Sequence, residues 1–475
     1  MAVPVSLVWF RQDLRVKDNP ALNAGCDNGK IIPVYIHDTT LPKDRLPGSV
    51  TKWWLHHSLN SLNDRLNGHL HVFKGNPKDI LLSLTEKYDI EDVYWNRCYE
   101  PWHVTRDKQI KQALKAAGKK GHSFNGSLLW EPWDVANQSG APYKVFTPFY
   151  RKGCLASPPP RYPKAPPARI TYADIAKAEL TIDDLLLLPK IKWAEGIAKS
   201  WQPGEEGAAN RLADFIDDAI HHYKTARDFP AVAGTSKLSP HLHFGEISPN
   251  QVWYAIKTAY GDSENKDIDT FLSELGWREF AHHLIYHYPD FPDKNFNKKF
   301  DYFPWRKSST DLKAWQQGKT GIPIVDAGMR ELWHTGYMHN RVRMIVGSFL
   351  VKNLLIDWRE GEAWFWDCLA DADVANNSAG WQWIAGSGAD AAPYFRVFNP
   401  VLQGEKFDKQ GEYVRAWCPE LKKLPNKYLH KPWDADDLTL RTSGVLLGRD
   451  YPNPLVNLKI SRERALAAFN DIKGK

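Results

Sequence analysis

The sequence has little cysteine. Its 475 residues include five, and these are Cys26, Cys98, Cys154, Cys368 and Cys418. They are scattered, odd in number and never arranged as a CxxC pair. This distribution argues against a disulfide framework and against a thiolate metal site, so we predict that the chain holds no metal.

Long apolar runs and a strong net charge are also lacking. No run of 18 apolar residues is present, and the opening Met1-Ala2-Val3-Pro4 has neither the basic region nor the long apolar stretch of a secretory signal. We therefore expect a cytoplasmic protein without membrane association. The net charge of +6, from 62 basic and 56 acidic residues, permits a local basic groove for a polyanion but does not require one.

Aromatic residues, by contrast, are abundant. The chain has 21 tryptophans, and most tryptophans fill hydrophobic cores because each buries a large area. A protein this rich in indole could also stack bases, hold a flat cofactor or carry electrons. Composition alone does not choose among these roles.

The first part of the chain alternates between strand and helix patterns. Short apolar runs at 5–10, 31–36 and 92–96 are typical of buried strands. Helical periods at 53–66 and 110–117 separate or follow them. Such alternation predicts a Rossmann-like α/β domain with a parallel sheet, which we place at residues 1–130.

The remainder of the chain is predicted to be a linker and an all-helical domain. Residues 157–167 are too rich in proline for a helix or a central strand. We therefore assign 131–205 to the linker and 206–475 to the helical domain. The first helix face is read from the i, i+3, i+4 spacing of Leu212, Phe215, Ile216, Ala219 and Tyr223.

Several long motifs follow one another in a fixed order. They are Val8-Trp-Phe-Arg-Gln-Asp-Leu-Arg15, Gly234-Thr-Ser-Lys-Leu-Ser239, Glu274-Leu-Gly-Trp-Arg-Glu-Phe280, Tyr337-Met-His-Asn-Arg-Val-Arg-Met344, Asp371-Ala-Asp-Val-Ala-Asn-Asn377 and Gly380-Trp-Gln-Trp383. Over nearly the whole chain this set resembles the photolyase–cryptochrome family. The resemblance is greatest to bacterial cyclobutane pyrimidine dimer (CPD) photolyases, including the class III subfamily related to plant cryptochromes.

The resemblance implies that the helical domain binds FAD in a compact U shape and that the reduced anion is the active form. Asn377 then faces flavin N5, and Arg343 pairs with an acid beside the ring. Without the resemblance, the hydroxyl residues at 235–239 would be interpreted as an ordinary helix cap. Arg343, Asp371 and Asp373 would be interpreted as a structural ion pair. The implied cofactor-binding residues are Tyr223, Thr235, Ser236, Lys237, Leu238, Ser239, Phe271, Glu274, Arg343, Asp371, Ala372, Asp373 and Asn377.

Three tryptophans occupy the positions of the family's electron-transfer chain. Trp305, Trp358 and Trp381 correspond to steps from the surface to the flavin. A lone tryptophan usually belongs to a core, so this role comes from the resemblance. The implied task is reduction of oxidised flavin in light, which the repair step itself does not need.

A further set is expected to face the substrate. Its catalytic members are Glu274, Asn340, Met344 and Asn377, and its DNA-binding members are Arg227, Trp277, Arg278, Asn340, Arg341, Trp383 and Arg396. Helical spacing places Glu274 near Trp277 and Asn340 near Met344. His339 is one residue out of phase with Asn340, which predicts that it turns about 100° away.

The resemblance implies light-driven repair of CPDs in UV-damaged DNA, double- or single-stranded, by a monomer. The electron would pass from excited reduced FAD to a flipped-out dimer. The alternative is a cryptochrome-type blue-light photoreceptor without repair activity, although Asn377, Glu274 and Asn340 favour repair.

An antenna chromophore is also expected. We favour 5,10-methenyltetrahydrofolate, with 8-hydroxy-5-deazaflavin or no antenna as alternatives. We assign no antenna residues, because Trp102-His103, Pro292-Asp293 and His243 depart from the known pocket patterns.

Overall fold

The structure is a computed structural model that describes residues 3–176, 179–261, 265–391 and 395–474. The chain divides into two compact units. Unit 1 comprises Met1–Asp218, Ser236–Pro289 and Ala370–Ala375, and unit 2 comprises Ala219–Thr235, Asp290–Leu369 and Asn376–Lys475. None of the described helices is long and apolar enough to cross a membrane.

Unit 1 contains a five-stranded parallel sheet, which confirms the predicted fold class. The strands are β1 (Val5–Phe10), β2 (Lys30–Asp38), β3 (His71–Gly75), β4 (Asp92–Asn96) and β5 (Lys120–Phe124), in the order β3-β2-β1-β4-β5. The helices that connect them are Pro20–Asn28, Ser49–Arg65, Pro77–Lys87 and Pro101–Ala116.

The three central strands were predicted and the two outer strands were not. Buried strands of a parallel sheet are covered on both faces, so they form continuous apolar runs. Leu7 and Trp9 of β1, Val34 of β2 and Val93 of β4 are accordingly buried in one core cluster. The outer strands are partly exposed and include polar residues, so apolar periodicity does not reveal them.

A network of arginines and acids closes the carboxyl end of β1. Arg11 donates from Nη1 to Asp107 at 2.7 Å and from Nη2 to the Asn96 carbonyl oxygen. Arg106 donates to Asp38 at 2.9 Å. Both guanidinium groups lie over the Trp9 ring, at 4.6 and 4.9 Å from its centroid. Each buried charge in this network therefore has an opposite charge beside it, as burial requires.

The predicted linker packs on unit 1 and includes short helical pieces, Phe146–Pro148 and Glu195–Ser200. Arg161 forms an ion pair with Asp18. The carbonyl oxygen of Arg161 also accepts from Asn250 at 2.8 Å. The proline-rich stretch thus satisfies its polar groups by side-chain contacts with other parts of unit 1, such as the helix residue Asn250, since its prolines offer no N–H.

Two long helices, Pro249–Tyr260 and Lys266–His287, also belong to unit 1. Glu279 fixes the second of these, because its Oε2 accepts from the backbone N–H of Leu129 at 2.8 Å and of Trp130 at 3.3 Å. Because both helices lie in unit 1, the predicted domain boundary at 205/206 does not coincide with the boundary of the compact unit. Burial raises the pKa of Glu279 to about 7.

The predicted continuous helix face from Leu212 to Tyr223 is wrong. The helix Glu205–Asp217 ends, a 3₁₀ turn follows at Ala219–His222, and a new short helix begins at Tyr223. Asp218, with φ −131° and ψ −75°, interrupts the helix.

Unit 2 is helical, and Asp326 organises part of it. Its helices include Ser309–Gln316, Pro323–Thr335, Asn340–Ser348, Trp358–Cys368, Pro400–Phe407, Glu412–Trp417, Asn426–Leu429, Asp437–Thr442 and Leu458–Asp471, and Val374–Ala385 lies mainly in it. The buried Asp326 carboxylate accepts from the N–H and hydroxyl of Thr320, at 2.7 and 2.6 Å. It also accepts from the Gly321 N–H at 3.0 Å and from the Tyr451 hydroxyl at 2.6 Å.

The Asp326 cluster yields a stability prediction. Asp326→Asn places an amide NH₂ among donors, so at least one buried donor loses its acceptor, at a cost of about 1–3 kcal/mol for each orphaned group. We expect the free energy of unfolding in urea to fall by that amount. Asp437→Asn, at an exposed position in the same unit, is the matched control. Equal stability of the two variants would contradict the organising role of Asp326.

Candidate functional site

The residues predicted for the site fall into two sets, one in each compact unit. Unit 1 contributes the first set and unit 2 the second, and each is described by itself. The first set is Ser236, Lys237, Leu238, Ser239, Phe271, Glu274, Trp277, Arg278, Asp371, Ala372 and Asp373. The second is Arg227, Tyr223, Thr235, Trp305, Asn340, Arg341, Arg343, Met344, Trp358, Asn377, Trp381, Trp383 and Arg396.

In unit 1, a tight loop leads into the short helix Ser239–His243. Lys237 adopts a left-handed conformation with φ +50°. The Ser236 hydroxyl oxygen accepts weakly from the Leu238 N–H at 3.4 Å. The Ser239 hydroxyl donates to Asp371 Oδ2 at 2.6 Å. The structure thus brings together two predicted cofactor-binding residues, Ser239 and Asp371, that are distant in the sequence.

The helix Lys266–His287 carries four of the predicted residues. Phe271 is buried and packs against Phe215 with ring centroids 4.5 Å apart. Glu274 and Trp277 lie further along, and both are partly buried. The Trp277 indole stacks on Phe146 at 3.7 Å with an angle of 10° between the planes. One ring face of Trp277 is therefore fixed by protein, as a rigid wall of a binding site requires.

Arg278 already has two partners inside unit 1. Its Nη1 donates to the Ser127 carbonyl oxygen at 2.7 Å and lies 3.3 Å from Glu279 Oε1. Only 12% of its side chain is exposed. This placement does not support the predicted phosphate contact, because the guanidinium already serves a backbone oxygen and a carboxylate inside unit 1.

Asp373 is buried and lies near two histidines that were not predicted as cofactor-site residues. His282 Nε2 is 3.4 Å from Asp373 Oδ2. His243, which is partly buried, interacts electrostatically with the same carboxylate. The signal was available for His282, since it follows Glu274 and Arg278 at i+8 and i+4 on one helix face.

In unit 2, the orientation of the Asn377 side chain is fixed. Asn377 Nδ2 donates to the Glu362 carbonyl oxygen at 3.1 Å, and the amide is buried. The neighbouring Ser378 hydroxyl donates to Glu362 Oε1 at 2.6 Å. Because the NH₂ end is held, the Asn377 carbonyl oxygen is the end that can accept from an incoming N–H donor.

The three tryptophans of the predicted electron-transfer chain differ in burial. Trp381 and Trp358 are buried, and Trp305 is only partly buried. Trp358 Nε1 donates to Asn295 at 2.9 Å. Trp305 packs against Phe303 with ring centroids 4.4 Å apart. A path from the interior to the surface needs its last ring to reach solvent, and of the three only Trp305 is partly exposed.

The helix Asn340–Ser348 begins at the predicted substrate residue. His339 precedes it as the N-cap, with Nδ1 accepting from the Arg341 N–H at 3.2 Å. His339 is buried and Asn340 is exposed, so the two side chains face different surroundings. Burial lowers the pKa of His339 to about 4. It is therefore neutral at physiological pH and serves as a cap.

Three arginines of unit 2 already have contacts. Arg227 and Arg341 were predicted to bind DNA, and Arg343 was predicted to bind the cofactor. Arg341 forms an ion pair with Asp228 at 2.6 Å. Arg227 lies over the Tyr223 ring at 5.5 Å. Arg343 donates from Nε to the Met338 carbonyl oxygen at 2.7 Å. A phosphate would have to compete with Asp228 for Arg341, so Arg341 is a weaker candidate than the sequence suggested.

Trp383 and Arg396 line one small cleft in unit 2. Lys352 also lines it and donates from Nζ to the Arg396 carbonyl oxygen. The Lys352 amine lies 4.7 Å from the centroid of the Phe395 ring. Burial, reinforced by the Arg396 charge, lowers the pKa of Lys352 to about 7. Two residues predicted to bind DNA thus lie beside a lysine that sequence reasoning did not identify.

Cys98, Glu100 and His103 of unit 1 lie close enough to share one metal ion. Glu100, however, is already engaged by His103 at 3.0 Å and by Gln12 at 3.1 Å. Burial raises the pKa of the Cys98 thiol to about 12, despite the nearby Arg11 guanidinium. A protonated thiol and a cation beside it do not favour a metal ion.

Comparison with known proteins identifies the family. A family model described as "DNA photolyase" matches residues 6–168, and one described as "FAD binding domain of DNA photolyase" matches residues 271–471. A deoxyribodipyrimidine photo-lyase of Agrobacterium fabrum is 49% identical over 473 residues, which is 98% of each chain. This chain belongs to the photolyase–cryptochrome family. The resemblance inferred from the motifs is thereby confirmed.

Solved structures of relatives in the photolyase–cryptochrome family have the same fold. A bacterial class III photolyase from Agrobacterium tumefaciens superimposes with a TM-score of 0.96 at 48% identity, covering 100% of this chain and 99% of that one. A Synechocystis cryptochrome superimposes with a TM-score of 0.89 at 31% identity, covering 98% and 100%. Cryptochrome-1 of Arabidopsis thaliana is 37% identical over 98% of this chain and 70% of its own length.

Membership of this family gives the chain an FAD-binding domain, and its residues fit that cofactor. Asn377 presents a carbonyl oxygen, which suits a flavin N–H, because its NH₂ end is held by Glu362. Trp381 Nε1 is buried and has no hydrogen-bond partner among the described residues. Both observations are expected of side chains that border a bound group.

The position of Trp381 depends on a glycine. A Cβ at Gly361, in the helix Trp358–Cys368, would lie 2.1 Å from Trp381 Cη2. Gly361→Ala should therefore displace the ring, cost about 1–3 kcal/mol through overpacking and slow the light-driven reduction of oxidised FAD. Gly380→Ala is the matched control, because its methyl group would meet nothing within 4 Å. Equal photoreduction rates in the two variants would contradict the role of Trp381.

Lys352 yields a pH prediction. With a folded-state pKa of about 7 and an unfolded value of about 10.4, the unfolded chain binds more protons between these values. Stability should therefore rise with pH across that window. Lys352→Met should raise the free energy of unfolding most below pH 7, and the gain should shrink towards pH 10. Denaturant unfolding at several pH values tests this, with the exposed Lys313→Met as control. A gain independent of pH would contradict it.

Proposed function

We propose that the chain is an FAD-dependent enzyme that uses blue light to repair cyclobutane pyrimidine dimers in DNA. The observation that carries the proposal is the fixed amide of Asn377, which offers a neutral acceptor. A neutral amide does not repel the negative charge of a reduced flavin, whereas a carboxylate would. The Agrobacterium fabrum relative, named a deoxyribodipyrimidine photo-lyase, supports the same reaction.

Bound FAD would supply the electron that opens the cyclobutane ring and would take it back afterwards, so the reaction has no net redox change. The residues of this chain would hold, orient and shield the reactants. We propose that the cofactor is held by Tyr223, Thr235, Ser236, Lys237, Leu238, Ser239, Phe271, Glu274, Arg343, Asp371, Ala372, Asp373 and Asn377. Trp381, Trp358 and Trp305 would carry electrons to oxidised flavin.

We propose that the dimer is bound after it has been flipped out of the DNA. Asn340 and Glu274 would hydrogen-bond the pyrimidine edges, and Met344 would provide a soft apolar contact. Trp277, already fixed on Phe146, would provide a flat wall. Extrusion of the lesion costs only a few kcal/mol, since a damaged pair is already poorly stacked.

The DNA backbone would be held by arginine side chains and bordered by Trp383. Arg227 and Arg396 are the stronger candidates, and Arg341 would have to leave Asp228. Phosphate contacts of this kind make affinity fall with salt. We propose that the protein acts as a monomer on lesions in double- or single-stranded DNA.

The second candidate function is that of a blue-light photoreceptor without repair. Plant and Synechocystis cryptochromes among the relatives favour it. Asn377, Glu274 and Asn340 argue for repair, because together they supply a neutral flavin contact and polar groups for a pyrimidine edge.

We further propose a folate antenna, 5,10-methenyltetrahydrofolate. The similarity to a class III photolyase and to plant cryptochromes supports it. An archaeal photolyase from Sulfolobus tokodaii, 30% identical with a TM-score of 0.82, was solved with two FAD molecules, which imply a novel light-harvesting cofactor in that protein. Antenna identity therefore varies within the fold.

The decisive assay gives the reduced protein and blue light to two oligonucleotides, one with a cyclobutane dimer and one with a (6-4) photoproduct. We expect repair of the dimer only, because splitting its ring needs no proton transfer, and the buried His339, neutral and engaged as a cap, is not placed to act as an acid. A dark sample is the control. Restoration of the (6-4) strand would contradict the lesion assignment, and repair of neither strand would favour the photoreceptor.

A further inference from the structure

His282 is placed between two hydrogen-bond acceptors. Its Nδ1 lies 2.9 Å from the Arg278 carbonyl oxygen, and its Nε2 lies 3.4 Å from Asp373 Oδ2. The Arg278 carbonyl oxygen can only accept, so Nδ1 carries a proton, and one further proton lies between Nε2 and Asp373 Oδ2. Both His282 and Asp373 are buried. These contacts are satisfied by an imidazolium beside a carboxylate.

The surrounding charges favour this ion pair. Burial acts to raise the pKa of Asp373, but the His282 charge and hydrogen bond hold it well below its usual range. Burial acts to lower the pKa of His282, but Asp373 outweighs it and the pKa is raised. His243 faces Asp373 from a second helix, and burial keeps its pKa low. His243 is thus neutral at pH 7 and cannot replace His282.

The remaining titratable groups near the pair are Arg278, Glu279, Glu100 and Asp371. Arg278 is engaged by the Ser127 carbonyl oxygen. Glu279 has a pKa of about 7 because of burial, so it carries only part of a negative charge. Glu100 is paired with His103. Of the cations around Asp373, His282 is therefore the one that Asp373 keeps protonated and that loses its proton as the pH rises through its raised pKa.

We propose that His282 is a positioning residue that holds Asp373 as an oriented carboxylate at the cofactor and balances its charge there. This inference rests on the proposed function, in which Asp373 contacts FAD. While the pair is intact, the site gains no net charge from it, and a reduced flavin anion is tolerated. When His282 loses its proton, one uncompensated negative charge remains and should disfavour the reduced anion.

The pH direction follows from the raised pKa. The stabilisation of the folded protein by this pair is full below the unfolded histidine pKa of about 6.5. It is lost as the pH rises through the higher folded value. The reduction potential of the flavin already falls with pH because the flavin takes up a proton on reduction. Loss of the His282 proton should add a further fall as the pH rises through the folded His282 pKa.

An anaerobic redox titration of the FAD-loaded protein at pH 6 to 9 tests the inference. The flavin reduction potential should fall more steeply with pH in the parent than in His282→Arg, because the arginine keeps its positive charge over this pH range. His282→Gln should show a lower potential than the parent at pH 6 and no excess slope. His287→Gln, on the same helix but bonded to Pro132, should behave as the parent.

Identical slopes in the parent, the arginine variant and the glutamine variant would overturn the inference. Loss of FAD from the arginine variant would also overturn it, because that variant keeps the charge. Loss of FAD from the glutamine variant alone, with rescue by arginine, would support it. If the parent shows the excess slope and yet repairs no dimer, the proposed function fails and the role of His282 stands.

Discussion

The candidate site depends on how the helix Lys266–His287 is held, and Glu279 holds it. Its carboxylate accepts from the Leu129 and Trp130 N–H groups, which precede the linker. The rotation of the helix is thereby fixed, and with it the directions of Glu274, Trp277 and His282. A helix held only by apolar packing could rotate at small cost, whereas a buried carboxylate that loses its donors is penalised. A structural acid thus orients the residues proposed to act on cofactor and substrate.

A related constraint governs the tryptophans of unit 2. Trp358 is fixed by a hydrogen bond to Asn295, and Trp381 is fixed by the absence of a side chain at Gly361. Electron transfer between two indole rings depends on the distance between them, so each ring needs one fixed position. The same helix, Trp358–Cys368, also holds the Asn377 amide through the Glu362 carbonyl oxygen. These two tryptophans, proposed to carry electrons, and the amide proposed to contact the flavin are therefore all positioned by one helix.

The sequence was informative where a pattern repeats and where a motif matches a family. Central strands were found because burial on both faces makes them apolar, and the motifs gave the family and the candidate residues. The hydrogen-bond and ion-pair partners of the candidate residues could not be predicted from the motifs. Arg278 and Arg341 were taken as DNA contacts, yet Glu279 and Asp228 lie beside them. His282 shares a helix face with Glu274 and Arg278, but its acidic partner Asp373 is distant in the chain, as is the Arg396 contact of Lys352, so neither role was predicted.

The central claim is that the oriented amide of Asn377 and the Asp373–His282 pair border the flavin. A crystal structure of the FAD-loaded, reduced protein tests it most directly. The account predicts that Asn377 Oδ1 lies within hydrogen-bonding distance of flavin N5 while Nδ2 stays on Glu362. It also predicts that Asp373 contacts the cofactor and remains paired with His282. A flavin bound with N5 away from Asn377, or with Asp373 out of contact, would contradict the account.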